Sequence, residues 1–299
     1  MEKVNCDLCG ADAPEILFTR KDRFTNQDFQ FVTCTNCGLI YLQYRPSQEE
    51  LDLHYPHDYE AYYLLEEGSE GVNQWHLRRM LNLQLAFVEQ YSNNKGRLLD
   101  IGAATGNFMK NAHDHGWEVL GIEPIEKAAN IAREYYHLEV ITGTLETAAL
   151  ESSSFDVACM WDVLEHVPSP RQTLAGCFDL LKPNGLLVFS IPNLKSFDRY
   201  LFGENWIGWD APRHFNMFTE DTLKQLLDTS GFYLAGKKCI LGGKGTFKLS
   251  IEQVLENKRL RAWFNRAYPL LSALLWPYRQ VSYLVDRGPI ITYAARKKV

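Results

Sequence analysis

The sequence predicts an α/β fold: a doubly wound, mostly parallel sheet with helices on both faces, preceded by a small cysteine-rich ribbon. Three observations carry this. From residue 97 short apolar runs (RLLDIG, WEVLGIE, LEVIT, FDVACMW, GLLVFSIP) alternate with helix-like stretches, the pattern of βα units around a parallel sheet. One of these runs continues into an acid and a set of small residues, LLDIGAATGNF at 98–108, as a strand does when it turns into a helix around a ligand. The third is a double C-x-x-C at the N-terminus. At 299 residues, with 46% apolar and 23% charged residues, the chain has the means to bury a sizeable core.

Cys6 and Cys9 form the first C-x-x-C and Cys34 and Cys37 the second, each followed by glycine (CDLCG, CTNCG). The glycine lets backbone N–H groups turn toward the thiolates, so the pairs read as two zinc knuckles closing a tetrahedral site, with EILFTR and FQFVTC as the arms of a hairpin between them. Four protein ligands leave no open position, so a zinc ion held there is structural. The alternative is four unligated thiols. A redox role fits less well, because neither pair opens a helix after a strand. The expected division is therefore a ribbon over 1–45, a helical lead-in over 46–94 and a nucleotide-type domain over 95–299. In the lead-in, Ser47 and Glu50 have capping-box spacing. A helical pattern over about 72–93 places Trp75, Met80, Leu83 and Phe87 on one apolar face.

The glycine loop decides which nucleotide the main domain takes. A dinucleotide site wants glycines at i, i+2 and i+5; here Gly102 and Gly106 flank Ala104, and Asp100 stands two residues ahead. A carboxylate repels a pyrophosphate and attracts an ammonium group. Glu123, ending the next strand in GIEP, is placed to accept hydrogen bonds from a ribose diol. The site asks for an unphosphorylated, cationic nucleoside with a free cis-diol, and S-adenosylmethionine (SAM) meets all three conditions. On these residues the stretch from 98 to about 193 resembles the class I SAM-dependent methyltransferases, whose first motif reads acid-x-Gly-x-Gly-x-Gly and is departed from here only at Ala104. The resemblance implies a seven-stranded sheet whose last strands, FYLAGKKCIL and IITYAARKK, close it as an antiparallel pair. It further implies cofactor contacts from Asn107, Phe108, Pro124, Trp161 and Asp162, and an adenine position at Thr144 and Leu145 in TGTLE.

SAM already carries an activated methyl group, so an enzyme of this kind has to align donor and acceptor and, for a hydroxyl, remove a proton. WDVLEHV sets Glu165 and His166 at the end of the fourth strand. His166 suits a general base near neutral pH, or else caps the strand end; Glu165 either supports it or is structural. In some related enzymes a Glu-His pair binds a divalent metal, which makes Glu165 and His166 candidates for one. FGENWIGWDAPRHFNMFT, residues 202–219, reads as a substrate lid carrying Trp206, Trp209, Asp210, Arg213 and His214. The plain alternative for the tryptophans is packing. His214 is taken with Glu165 and His166 as a catalytic candidate. Thr219 is placed to cap the helix that follows.

Between the two closing strands lies an insertion over about 245–287. Residues 247–287 hold seven Lys or Arg against three acids, in a chain whose formal net charge is −6. Basic and aromatic residues around the short apolar run PLLSALLWP suit membrane-surface contact, a dimer interface or a cover over the acceptor. That run is too short to span a bilayer. The expected protein is cytoplasmic, with no signal-peptide pattern at its start, and sits in solution or at a membrane periphery as a monomer or homodimer. Its expected acceptor is a small molecule or a glycan or lipid-linked precursor, methylated on oxygen. An RNA-modifying enzyme docked through the ribbon is the rival; the acidic net charge argues against nucleic acid, as do the acids that offset Lys3, Arg20, Lys21, Arg23 and Arg45. A non-catalytic SAM-binding protein is the other.

Overall fold

The structure, a computed structural model, describes residues 1–47, 50–54, 72–240, 244–255 and 258–299. The chain groups into two units. One joins Met1–His54, Ile191–Thr222 and Lys237–Thr292; the other joins Tyr55–Ser190, Leu223–Gly236 and Tyr293–Val299. The ribbon, the segment after the fifth strand and the basic insertion thus group in one unit.

In the first unit, β1 (Glu2–Lys3) pairs with β5 (Tyr44–Arg45), and β2 (Pro14–Lys21), β3 (Asp28–Cys34) and β4 (Ile40–Leu42) form an antiparallel meander. Ser47 and Glu50 make half of the expected capping box, with the Ser47 N–H donating to Glu50 Oε2 at 3.0 Å ahead of a 3-10 turn at Leu51–His54. The rest of that expected short helix lies outside the described residues.

The second unit holds α1 (Val72–Tyr91) and the βα core: β6 (Arg97–Ile101), α2 (Asn107–Asp114), β7 (Glu118–Glu123), α3 (Glu126–Tyr136), β8 (Val140–Thr142), β9 (Phe155–Trp161) and α4 (Pro170–Leu180). Strand β10 (Leu181–Pro192) pairs parallel to β9. The helical reading of α1 holds, but its buried face is Leu81, Gln84, Leu85 and Val88, together with Phe87. Trp75 and Leu83, expected in the core, are exposed, and Arg79 lies over the Trp75 ring. A sequence with apolar residues on more than one side of the helix leaves the buried side to be chosen by the neighbour it packs on.

The remaining elements are α5 (Phe197–Phe202), β11 (Asn216–Met217), α6 (Glu220–Thr229), β12 (Phe232–Lys238), α7 (Lys244–Val254), α8 (Lys258–Leu274), α9 (Trp276–Leu284) and β13 (Ile290–Lys297). The main sheet has seven strands in the order β12-β13-β10-β9-β6-β7-β8, with β10, β9, β6, β7 and β8 successively parallel. Strand order reverses between β6 and β9, and that switch point is where open α/β sheets bind ligands. The runs at Leu98–Leu99 and Val157–Met160 are fully buried, as continuous apolar strands covered on both faces must be.

Strand β11 pairs antiparallel with β4, so the 202–219 segment adds a fourth strand to the ribbon sheet, whose order is β11-β4-β3-β2. Trp206, Trp209, Phe215 and Met217 close a core with Phe18, Phe29, Phe31, Ile40 and Leu42 from the ribbon. Thr219 caps α6 as expected: the Thr222 N–H donates to Thr219 Oγ1, and the Thr219 N–H to Thr222 Oγ1.

Candidate active site

In the second unit, the predicted cofactor residues fall at the carboxyl ends of four adjacent strands. Gly102–Phe108 follow β6, Glu123 ends β7, Thr144 and Leu145 follow β8, and Trp161 ends β9 with Asp162 next. The loop after β6 is a succession of left-handed residues: Gly102 at φ 75°, Ala104 at φ 47° and Gly106 at φ 81°. A Cβ at Gly102 would stand 2.6 Å from Val163 Cγ2, and one at Gly106 2.8 Å from Ala132 Cβ, so both places are closed to side chains by contact as well as by conformation. Ala104 takes the same backbone region with a methyl group, at a cost of about 1–2 kcal/mol.

The Ala104 N–H donates to Glu123 Oε2 at 2.8 Å and the Ile125 N–H donates to Glu123 Oε1 at 2.9 Å. The amide that a phosphate-binding loop would aim at its ligand is therefore spent on a carboxylate. Each Glu123 oxygen retains a second lone pair for a hydroxyl donor. Burial pushes the Glu123 carboxyl up from its usual range, and the two amide donors hold it back.

Asp100 is buried, and its Oδ1 has no hydrogen-bond partner among the described residues. Burial, with Glu123 nearby, raises its carboxyl well above the ordinary range. A buried carboxyl facing a second one lacks a cation, and an ammonium group of SAM fits that lack. Trp161 Nε1, a donor only, is likewise buried without a partner, and its ring meets Phe108 edge-on at 5.0 Å. Asn107 is engaged by protein, donating to Thr105 Oγ1 at 2.7 Å and accepting from the Tyr136 hydroxyl at 2.9 Å. Pro124 and Thr144 are exposed, whereas Leu145 is buried and approaches Gly176.

Asp162 lies at φ 56°, its N–H donating to Ser190 Oγ and its carboxylate accepting from the same hydroxyl at 2.7 Å. Ser190 was missed from the sequence; its only signal is a hydroxyl inside the apolar run VFSIP. Glu165 and His166 stand on the turn after β9. Glu165 is buried, its Oε2 has no hydrogen-bond partner among the described residues, and burial together with Asp162 raises its carboxyl well above the usual range.

The substrate candidates of the 202–219 segment belong to the first unit, and they are interior residues there. Trp206, Trp209, Asp210 and Arg213 are all buried. Arg213 donates through Nε and Nη2 to both Asp210 oxygens at 2.8 and 2.7 Å, and through Nη1 to Asp22 Oδ1 and the His54 carbonyl, each at 2.9 Å. His54 Nδ1 completes the network on Asp22 Oδ2 at 2.8 Å. A lid reading expects such groups to face a ligand; here they tie the segment to the ribbon. His214 Nδ1 lies 2.8 Å from the Gly208 carbonyl, which can only accept, so the proton sits on Nδ1. Burial lowers the His214 pKa, favouring the neutral ring.

The four ribbon cysteines converge. Cys6 and Cys37 Sγ lie 3.4 Å apart and Cys9 and Cys34 Sγ 3.6 Å, with all four sulfurs within 4.8 Å of one another. Sulfurs around a tetrahedral zinc stand about 3.8 Å apart, given Zn–S bonds of about 2.3 Å. Gly10 and Gly38 take left-handed φ angles of 76° and 82°, and their N–H groups return to the Cys6 and Cys34 carbonyls as a knuckle requires.

Comparison with known proteins agrees with this geometry. A family model described as "Methyltransferase domain" matches residues 74–235, more than half of the chain. The chain belongs to this methyltransferase family. Among curated relatives, the ubiquinone biosynthesis O-methyltransferase of Aromatoleum aromaticum is 31% identical over 157 residues, covering 46% of this chain and 65% of that one. The protein of the same name from an Azoarcus species is 34% identical over 127 residues, covering 40% and 54%. The chain thus spans about half to two thirds of the length of these relatives. A solved S-adenosylmethionine-dependent methyltransferase from Mesorhizobium loti superposes with a TM-score of 0.50 at 19% identity, over 73% of this chain and all of that one. The [4+2]-cyclase SpnF also reaches 0.50 at 19% identity, over 79% and 85%. At that identity both likenesses show the fold alone.

Proposed function

We propose that this protein is a SAM-dependent methyltransferase acting on oxygen of a small molecule or of a glycan or lipid-linked precursor. The observation that carries the reading is Asp100: a buried carboxyl with an unpartnered oxygen, beside Glu123, in a loop whose free amide is already committed to that glutamate. This arrangement repels phosphate and welcomes a cationic nucleoside. The curated relatives, named as O-methyltransferases, support oxygen as the acceptor atom.

Within this reading SAM supplies the electrophilic methyl group. Asp100 orients the ammonium end, Glu123 the ribose, Trp161 and Phe108 wall the donor, and Leu145 lies at the adenine. His166 removes the proton of the acceptor hydroxyl, and Glu165 supports it. Cys6, Cys9, Cys34 and Cys37 hold a structural zinc ion, and the enzyme works in the cytoplasm.

Calorimetric titration with SAM, followed by a methyl-transfer screen over quinols, nucleotide sugars and RNA, tests the proposal. Glu123→Ala is expected to weaken SAM binding at least tenfold, the loss of about 1.4 kcal/mol or more. His166→Ala is expected to leave binding intact and lower turnover by about 10²-fold or more. No binding at high micromolar SAM would sink the reading; tight binding with no turnover on any acceptor would mark a non-catalytic SAM-binding protein, and turnover on RNA alone would establish the rival substrate.

A further inference from the structure

In the first unit, α8 is fixed by one face. Phe264, Tyr268 and Ser272 are buried at four-residue intervals, and the buried guanidinium of Arg279 donates to the Ser272 hydroxyl at 3.0 Å and to its carbonyl at 2.7 Å. Arg261 donates to the Glu252 and Leu255 carbonyls at the end of α7, where a helix leaves its last acceptors open. The rotation of α8 about its axis is thereby set.

This rotation turns an apolar stripe outward. Trp263, Leu270 and Leu274 follow one another at i, i+7 and i+11 on a single stripe, and are 70%, 77% and 78% exposed. Trp276 opens α9 at 58% exposure and Leu284 ends it at 85%. Along α8 the chain carries Lys258, Arg259, Arg261 and Arg266 and no acid. Arg259 and Arg266 are exposed, stand seven residues apart and border one side of the stripe.

We propose that the α8–α9 stripe docks on an anionic lipid surface, with Trp263, Leu270 and Leu274 entering the interface and the arginines meeting the headgroups. An apolar stripe with exposed tryptophans, bordered by cations on an acid-free helix, is the composition an interfacial helix uses. No described helix is long and apolar enough to cross a membrane, so the contact is peripheral. A second copy of the chain suits the stripe less well, because a two-fold interface on α8 would bring two basic borders together without an acid on that helix to offset them. The inference sharpens the acceptor reading: an enzyme seated on a bilayer meets acceptors that carry a lipid. Its test reads binding to vesicles, so it stands or falls separately from methyl transfer.

The full chain is mixed with phosphatidylcholine vesicles containing about one third phosphatidylglycerol, and with pure phosphatidylcholine vesicles, and sedimented. The expected result is partition onto the anionic vesicles that falls with salt, and on the order of tenfold weaker partition onto neutral ones. Trp263→Ser, Leu270→Ser and Leu274→Ser combined are expected to lower partition by a further order of magnitude or more. Because the three side chains are exposed, this variant should keep the wild-type melting temperature and SAM affinity. An Arg259→Gln, Arg266→Gln variant should lose the preference for anionic lipid. Failure of the wild type to sediment with anionic vesicles overturns the proposal, as does equal partition of the triple variant. A concentration-dependent dimer that the triple variant abolishes, without vesicle binding, overturns it in favour of a second copy.

Discussion

Asp100 and Arg213 show opposite ways of placing a charge inside a protein. Asp100 is a carboxyl raised by burial and by Glu123, so without a cation it holds its proton at pH values where an exposed aspartate has lost it. An ammonium group set against it stabilises the ionised form. On the proposed assignment SAM binding is expected to be coupled to proton release, with affinity rising with pH until Asp100 is already ionised in the free protein. Calorimetry in buffers of different ionisation enthalpy checks this: the apparent binding enthalpy should vary with the buffer for wild type and not for Asp100→Asn. A buffer-independent enthalpy in the wild type would count against the ammonium assignment. Arg213 is fully paired. Replacing it with Met removes the guanidinium that the buried Asp22 and Asp210 carboxylates share, and should cost about 3–5 kcal/mol, seen as a lower melting temperature at pH 7. Although burial opposes it, bonds from His54, Thr25 and Arg213 hold the Asp22 carboxyl below its usual range, and Arg213 holds Asp210 lower still. Carboxylates depressed in the folded state add stability above the ordinary carboxylate pKa, near 3.9, and lose it as pH falls through the folded values. Acid should therefore melt the wild type below about pH 4, and the Arg213→Met difference should shrink there.

At the scale of elements, the ribbon and the 202–219 segment are one structure. Strand β11 completes the ribbon sheet, and Trp206 and Trp209 rest on Phe18 and Phe31; Phe18 and Trp209 meet edge-on at 4.8 Å. Removing the zinc proposed for the four cysteines should then be visible far along the chain. Chelation, or Cys34→Ser, is expected to shift tryptophan emission to the red and to lower the melting temperature, and an unchanged spectrum on metal loss would separate the cysteine site from this core. Much at this scale was legible beforehand, because it is written in local pattern. The βα alternation, the glycine loop, Glu123 about 20 residues on and the paired cysteines are all patterns of composition and spacing within or between neighbouring elements. What was not legible is long-range. Arg213 finds Asp22 191 residues away and the His54 carbonyl 159 residues away, and no spacing rule connects them. The same tryptophans and arginine that look like a lid in isolation become interior once β11 joins β4. On α1 the sequence offered more apolar positions than one face could bury, and Trp75 and Leu83 were left outside.

At the scale of the whole molecule, the region matched by the methyltransferase family, 74–235, is expected to be unstable when cut out alone. It contains 202–219, whose apolar side chains are closed over by Phe18, Phe29, Phe31, Ile40 and Leu42. A chain begun at residue 72 keeps Trp206, Trp209, Phe215 and Met217 and loses the ribbon side of their core, Phe18, Phe29, Phe31, Ile40 and Leu42. It also strips Asp22 and the His54 carbonyl from the buried Arg213 guanidinium. Exposed aromatic surface on this scale promotes association. Such a truncation is expected to bind a hydrophobic dye and to sediment as aggregates, while the full chain does neither. Replacing Trp206, Trp209 and Phe215 with polar residues in the truncated chain should restore much of its solubility if the lost ribbon is the cause. A soluble, dye-negative truncation that melts like the full chain would show instead that the ribbon is an appendage, and that the buried network around Arg213 contributes little to holding the 202–219 segment in place.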